Sequence, residues 1–265
     1  MGNRVDEKFL DQMDQELTGW RDPGARLQAA LDNDELTLYC QLILAITGAA
    51  HYPMAEVLVR LRVEEKALLP PGEFLPVFEH YNMMPLLDRW VVRTLARRLK
   101  NGAKVPRFTV NLSRQTLEDP DFPDYVAAQA RDTGIAPGSM LFEIDESDLI
   151  ARPRAAELLG LALAKIGSGT LIDGFGRKAV SFAPLVAMRV AFIKVDGSIT
   201  RRLLAGGAAE TKMKAVVHVG AALGIGVIAE CVEEQDVLAR LKALGTGYAQ
   251  GLGISRPQPI DTIAG

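Results

Sequence analysis

Five chemistry-bearing side chains stand where short apolar runs end. Asn111 follows Phe108-Thr109-Val110, Glu143 follows Met140-Leu141-Phe142, and Asp173 follows Thr170-Leu171-Ile172. Lys194 follows residues 190–193, Glu230 follows residues 225–229, and a sixth group, Glu56, lies inside the run 54–62. Parallel strands of one barrel open all such ends on a single mouth. Four carboxylates in one small concavity raise each other's pKa unless a positive charge offsets them. The donors here are oxygen only, without Cys or His, which favours Mg²⁺, Mn²⁺ or Ca²⁺ over zinc. Lys194 adds a point charge suited to a phosphate oxygen or an activated water. The chemistry predicted is metal-assisted binding or cleavage of a phosphoester.

The elements that must position these groups are strands alternating with helices. The run 170–172 is β-branched and apolar, with Gly167-Ser168-Gly169 before it and Gly174-Phe175-Gly176 after Asp173, which reads as a buried strand between turns. Strands are expected at 36–43 and 54–62, as a hairpin across Gly48, and then at 108–110, 140–142, 170–172, 190–193, 225–229 and around Tyr248 and Gln250. In the second strand Glu56, Leu58, Arg60 and Arg62 share one parity and so one face. Helices are expected at 71–81, 85–100, 121–133, 153–166, 181–187, 210–223 and 233–244. That alternation predicts a mostly parallel sheet, and the number of units predicts a closed α/β barrel. Residues 1–34 form a helical extension or linker, with Phe9, Met13, Leu17 and Trp20 on one face and a stop at Asp22-Pro23-Gly24. Residues 35–265 form the barrel domain.

Composition narrows the class. The 265 residues are 48% hydrophobic and 24% charged, as in an ordinary globular domain. A net charge of −3 gives no pull toward a nucleic-acid polymer or an anionic membrane surface. Cys40 and Cys231 form no spacing motif, which fits a reducing compartment. The first residues carry neither a signal-peptide core nor a myristoylation pattern. A cytoplasmic domain without membrane insertion is expected. His51, His80 and His218 are read as surface or packing residues.

The motifs resemble those of the EAL family, cyclic di-GMP phosphodiesterases on a modified (β/α)₈ TIM-like barrel. Glu56-Val57-Leu58-Val59-Arg60 resembles the motif that names the family, and Val110-Asn111-Leu112-Ser113 matches its VNLS motif. Phe142-Glu143-Ile144-Asp145-Glu146-Ser147, Lys194-Val195-Asp196 and Ala229-Glu230-Cys231-Val232-Glu233 resemble three further motifs. Gln250-Gly251 and Ser255-Arg256-Pro257 resemble the C-terminal ones, and the order holds over about residues 35–260. The resemblance implies that Glu56, Asn111, Glu143 and Asp173 hold one Mg²⁺ or Mn²⁺, with Lys194 and Glu230 catalytic, positioning water and phosphate. It implies ligand contacts from Gln41, Leu58, Arg60, Asp88, Glu233 and Gln250, and a loop anchor in Glu146.

Two departures bear on function. Where the family's hydrolases carry two adjacent aspartates, this chain has Asp173-Gly174, so a second metal site is expected to be weakened. The loop that follows, normally T-G-Y-S-S-L, is here Arg177-Lys178-Ala179-Val180-Ser181-Phe182. Three readings compete: a cyclic di-GMP receptor with weak or no hydrolysis, an active phosphodiesterase giving pGpG, and a ligand-independent interaction module. Homodimerisation and a protein effector partner are compatible with all three.

Overall fold

The structure is a computed structural model that describes residue 20 and residues 22–49, 51–62, 68–178 and 182–264. The amphipathic segment expected before Trp20 lies outside the described residues. Among the described residues ten strands form one sheet: β1 (Leu36–Ala45), β2 (His51–Arg62), β3 (Leu68–Leu69), β4 (Arg107–Asn111), β5 (Met140–Asp145), β6 (Gly169–Phe175), β7 (Phe192–Val195), β8 (Gly226–Ala229), β9 (Tyr248–Ala249) and β10 (Gln258–Pro259). Eight close into a barrel in the order β1-β2-β4-β5-β6-β7-β8-β9, and β9 pairs back onto β1. Pairing is parallel from β2 through β9, whereas β1 runs against both of its neighbours. The expected hairpin therefore sets the one reversed stave of the barrel. The two-residue strands β3 and β10 were not expected; each only adds to an outer edge, of β2 and β1 respectively.

Long helices cover the outside at Pro71–His80, Met84–Leu99, Phe122–Thr133, Pro153–Lys165, Gly207–Leu223 and Gln235–Ala243, close to the expected positions. The helix expected around 181–187 is Ala183–Met188. Helix Pro23–Asp32 is capped by the Asp22 carboxylate, which accepts from the Ala25 amide at 3.0 Å. Its Leu27 and Ala30 are fully buried and join the same apolar cluster as Phe74 and Phe78. Among the described residues no helix is long and apolar enough to cross a membrane.

The barrel interior explains why chemistry gathers at one end. Ile43, Met54, Leu141, Leu171, Phe192 and Ile228 form a separate buried cluster, distinct from the layer between sheet and helices. Side chains two residues apart on a strand share a face. Met54, Leu141, Leu171, Phe192 and Ile228 therefore lie one step below Glu56, Glu143, Asp173, Lys194 and Glu230. Reversed β1 brings Gln41 to the same level above Ile43. A dry apolar floor thus carries a polar storey. Phe192 meets Tyr248 edge to face at 5.4 Å, and a Cβ on Gly226 would collide with its ring. Truncating Phe192 to Ala should cost about 3–5 kcal/mol of unfolding free energy, measured by urea denaturation.

Candidate active site at the barrel mouth

Three strands reach the mouth by the same local device. After β4, β5 and β7 the chain turns at once into a short helix, Arg114–Leu117, Glu146–Ala151 or Gly197–Thr200. Each is capped by a side chain just beyond the functional residue: Ser113 accepts from the Thr116 amide, Asp145 from the Ser147 amide and Asp196 from the Ser198 amide. These four- to six-residue helices were not expected, because they are too short for an apolar period to show. The caps Asp145-x-Ser147 and Asp196-x-Ser198 were the signal that could have found them. The caps fix the strand ends and so aim Asn111, Glu143 and Lys194.

At the centre stands Lys194, whose side chain is 1% exposed. Its ammonium donates to Glu56 Oε2 and Glu143 Oε2, both at 2.9 Å. Asp173 Oδ1 lies at 3.6 Å and Glu230 Oε1 at 3.4 Å. Glu56 also accepts from Asn111 Nδ2 at 2.9 Å and from Gln250 Nε2 at 2.6 Å. Gln250 donates to Gln41 Oε1 as well, and Gln41 Nε2 donates to the Ser255 carbonyl at 2.8 Å. All six ring residues named from the sequence thus converge, together with Gln41 and Gln250.

Four carboxylates around one ammonium cannot all keep an ordinary pKa. Burial pushes Glu143 up to about 8, helped by Glu56 and Asp173 and opposed by Lys194. Burial likewise lifts Glu230 to about 7, against the pull of Lys194. Burial would raise Glu56 too, but the Lys194 charge and the bonds from Lys194, Asn111 and Gln250 win and hold it low. Burial alone would neutralise Lys194, yet Glu143, Glu56, Asp173 and Glu230 raise it well above an ordinary lysine.

Beside the ring runs a groove made of two adjoining cavities of about 300 and 530 Å³ that share Pro71, Leu75, Met84 and Ser113. The first reaches the ring at Asn111 and includes Leu58; the second ends at Arg177. Asp88 lines the first cavity, but its Oδ2 accepts from both the amide and the hydroxyl of Ser113, at 3.0 and 2.7 Å. Burial pushes that carboxyl up to about 6 although the Ser113 bonds oppose it. Asp88 therefore secures the cap after β4, and its position in the wall places it behind Ser113. Arg60 donates to its neighbour's carbonyl, Val59 O, and lies over the Tyr39 ring at 5.7 Å. Glu233 is exposed on the loop before the Gln235–Ala243 helix.

The loop after β6 is tied down from below. Buried Glu146 accepts from the amides of Gly176 and Lys178, each at 2.9 Å. Gly174 has φ +63°, and a Cβ there would lie 2.5 Å from Cζ of Arg177. Arg177 pairs with Asp145, lies 3.4 Å from Asp196, and donates from Nε to the Gly174 carbonyl at 3.1 Å. Sequence reasoning missed this packing of Arg177 over Gly174, since only the turn brings the two together. Cys231, directly after Glu230, takes a left-handed φ of +55°.

With Lys194 drawn to the centre of the ring, no three Asp, Glu, His or Cys side chains among the described residues are grouped as a metal requires. Yet Glu143 Oε1 and Asp173 Oδ1 are buried without a hydrogen-bond partner among the described residues. Two spare carboxyl oxygens beside Glu56 and Asn111 make an all-oxygen donor set that suits a hard divalent cation once Glu143 gives up its proton.

The fold is thus an eight-stranded α/β barrel with one reversed strand and an acidic, lysine-centred mouth. The chain belongs to the EAL domain family, whose model matches residues 25–257. It is 31% identical over 259 residues to cyclic di-GMP phosphodiesterase PdeB of Shewanella oneidensis, covering 95% of this chain and 30% of that protein. It is 31% identical over 242 residues to cyclic di-GMP phosphodiesterase PdeF of Escherichia coli, covering 90% and 32%. The chain thus spans about a third of the length of these curated relatives. Among solved structures it is similar to the FimX EAL domain from Pseudomonas aeruginosa bound to c-di-GMP, with TM-score 0.83, 28% identity and coverage of 89% and 96%. It is also similar to the PaMucR phosphodiesterase in its c-di-GMP complex, with TM-score 0.83, 25% identity and coverage of 91% and 98%.

Two outcomes follow from the ring's charge. Lys194→Met leaves four carboxylates without their cation and should cost about 3–5 kcal/mol at pH 8, less at pH 5 where Glu143 and Glu230 are protonated; urea unfolding in chelator measures it. Between the ordinary glutamate pKa and about 8 the folded state holds more protons on Glu143 than the unfolded chain does, so this group's contribution to stability falls as pH rises. Glu143→Gln should therefore raise the melting temperature in chelator, by more at pH 8 than at pH 5.

Proposed function

We propose that this chain is a cyclic di-GMP-binding EAL domain that acts as a receptor and hydrolyses its ligand weakly or not at all. The observation that carries the reading is a mouth with two unequal halves. The Lys194 ring is complete and opens beside the groove, whereas the next strand end offers Asp173 and then a glycine under an arginine. The c-di-GMP-bound relatives of the same fold support the ligand.

In this reading Glu56, Asn111, Glu143 and Asp173 would hold one Mg²⁺ or Mn²⁺, which when bound supplies positive charge to a phosphodiester oxygen. Lys194 fixes the orientation of the carboxylates and offers its charge to the same phosphate. Glu230, with a pKa of about 7, is suited to holding or accepting a proton of a water at the ring. The groove takes a base among its apolar walls, with Leu58 and Arg60 along β2 and Gln41 and Gln250 at the closing seam. Asp88 supports the wall through Ser113, and exposed Glu233 borders the rim. A second cation would lack a carboxylate at Gly174, so the water-activating half of the site is weak. Residues 35–265 act as the signalling barrel with helix Pro23–Asp32 packed on it, and two free cysteines suit the reducing cytoplasm.

The intact ring and the phosphodiesterase names of the 31%-identical relatives favour a second reading, an active enzyme giving pGpG. Titration calorimetry with cyclic di-GMP should give saturable binding, and Mg²⁺ or Mn²⁺ incubations should leave the ligand intact over hours. Steady pGpG production sinks the receptor reading in favour of the enzyme. Absence of binding at high ligand concentration removes both and leaves a scaffold that works through protein contacts alone.

A further inference from the structure

Arg177 stands at the mouth in a place that a side chain on residue 174 would otherwise occupy. A Cβ built on Gly174 would fall 2.5 Å from Cζ and 2.6 Å from Nε of Arg177, inside any permitted contact. The backbone at Gly174 is also left-handed, at φ +63°, which a side chain would strain. The two positions are therefore coupled: a side chain at 174 evicts the guanidinium.

The guanidinium is held in a negative field. It pairs with the Asp145 carboxylate, lies 3.4 Å from Asp196 Oδ2 and donates to the Gly174 carbonyl. Burial would lower its pKa, but Asp145, Asp196 and Asp173 outweigh that and keep it charged. Asp173 belongs to the Lys194 ring as well, so the charges of Arg177 and Lys194 both act on one carboxylate. The described partners engage two of the five N–H donors of a guanidinium. Arg177 also lines the larger cavity of the groove. Planar donors of this kind suit phosphate oxygens, and their charge does not depend on metal supply.

We propose that Arg177 is a chain-borne cation that binds one phosphate of the ligand beside Asp173, in the space left by the glycine at 174. The proposal rests on the reading of the mouth as a cyclic dinucleotide site. It makes part of the binding energy independent of divalent metal, and it makes residue 177, with 174, a determinant of whether this mouth retains its ligand.

The competing role for Arg177 is a clasp that only ties the loop after β6 to the caps Asp145 and Asp196. The two roles differ in sign for one variant. Cyclic di-GMP is titrated calorimetrically, in chelator, into the wild-type chain and into Arg177→Ala, Asp145→Asn and Gly174→Asp. Asparagine still caps a helix, so Asp145→Asn removes charge without removing the cap. As a phosphate ligand, Arg177→Ala weakens binding at least tenfold, Gly174→Asp weakens it similarly, and Asp145→Asn leaves it unchanged or tighter. Equal binding by wild type and Arg177→Ala overturns the proposal. Equal weakening by Arg177→Ala and Asp145→Asn overturns it in favour of the clasp. Unchanged binding by Gly174→Asp overturns the steric coupling. A wild-type chain that binds with or without Mn²⁺ keeps these outcomes meaningful; one that binds in neither buffer overturns the cyclic dinucleotide reading itself.

Discussion

One buried ammonium governs the mouth of this barrel. Lys194 has almost no access to water and touches carboxylates from four other staves or their ends. Taking a charge out of water costs several kcal/mol, so it is stable only where opposite charges close around it. The acids need the lysine equally, because ionised neighbours at this distance repel. The surplus of acid over base is met by protonation: Glu143 and Glu230 rise toward neutrality while Glu56, with the most donors, stays ionised. The arrangement is poised between proton binding and cation binding, and either can neutralise the same surplus.

The floor beneath it makes this balance workable. Met54, Leu141, Leu171, Phe192 and Ile228 exclude water from below, which lowers the local dielectric and strengthens every interaction in the ring. From the sides the positions are fixed by Ser113, Asp145 and Asp196, whose caps end the strands on a set residue. Ser113 is in turn held by buried Asp88. The reversed first strand contributes from the other direction: Gln41 on β1 and Gln250 after β9 join across the seam where the barrel closes, and Gln250 reaches Glu56. Closure of the barrel and assembly of the site are thus one event.

The two sides of the mouth are differently furnished. On the side of β2 and β4, Asn111, bonded to Glu56, borders a preformed groove. On the side of β6, Glu146 grips two loop amides from below while Arg177 lies over Gly174. Positive charge there comes from the chain itself. The receptor proposed above, which holds a phosphodiester without breaking it, rests on this asymmetry between the two sides.

Strand ends and long helices were legible in the sequence because each depends on local pattern: apolar runs closed by a polar residue, and three- to four-residue periods between glycine and proline stops. Parity within a run also placed Glu56 with Leu58 and Arg60, and motif order identified the family. The short capped helices and the two-residue strands β3 and β10 escaped, since so few residues carry no period. Which carboxyls burial pushes toward neutrality, that Asp88 turns to Ser113, and that Arg177 occupies the space over Gly174 were decided by tertiary structure alone. Those facts depend on distances between groups far apart in the chain or on the path of a tight turn, and residue types do not encode either one by themselves. Sequence named the groups that could do chemistry; the closed barrel determined which of them share one electric field.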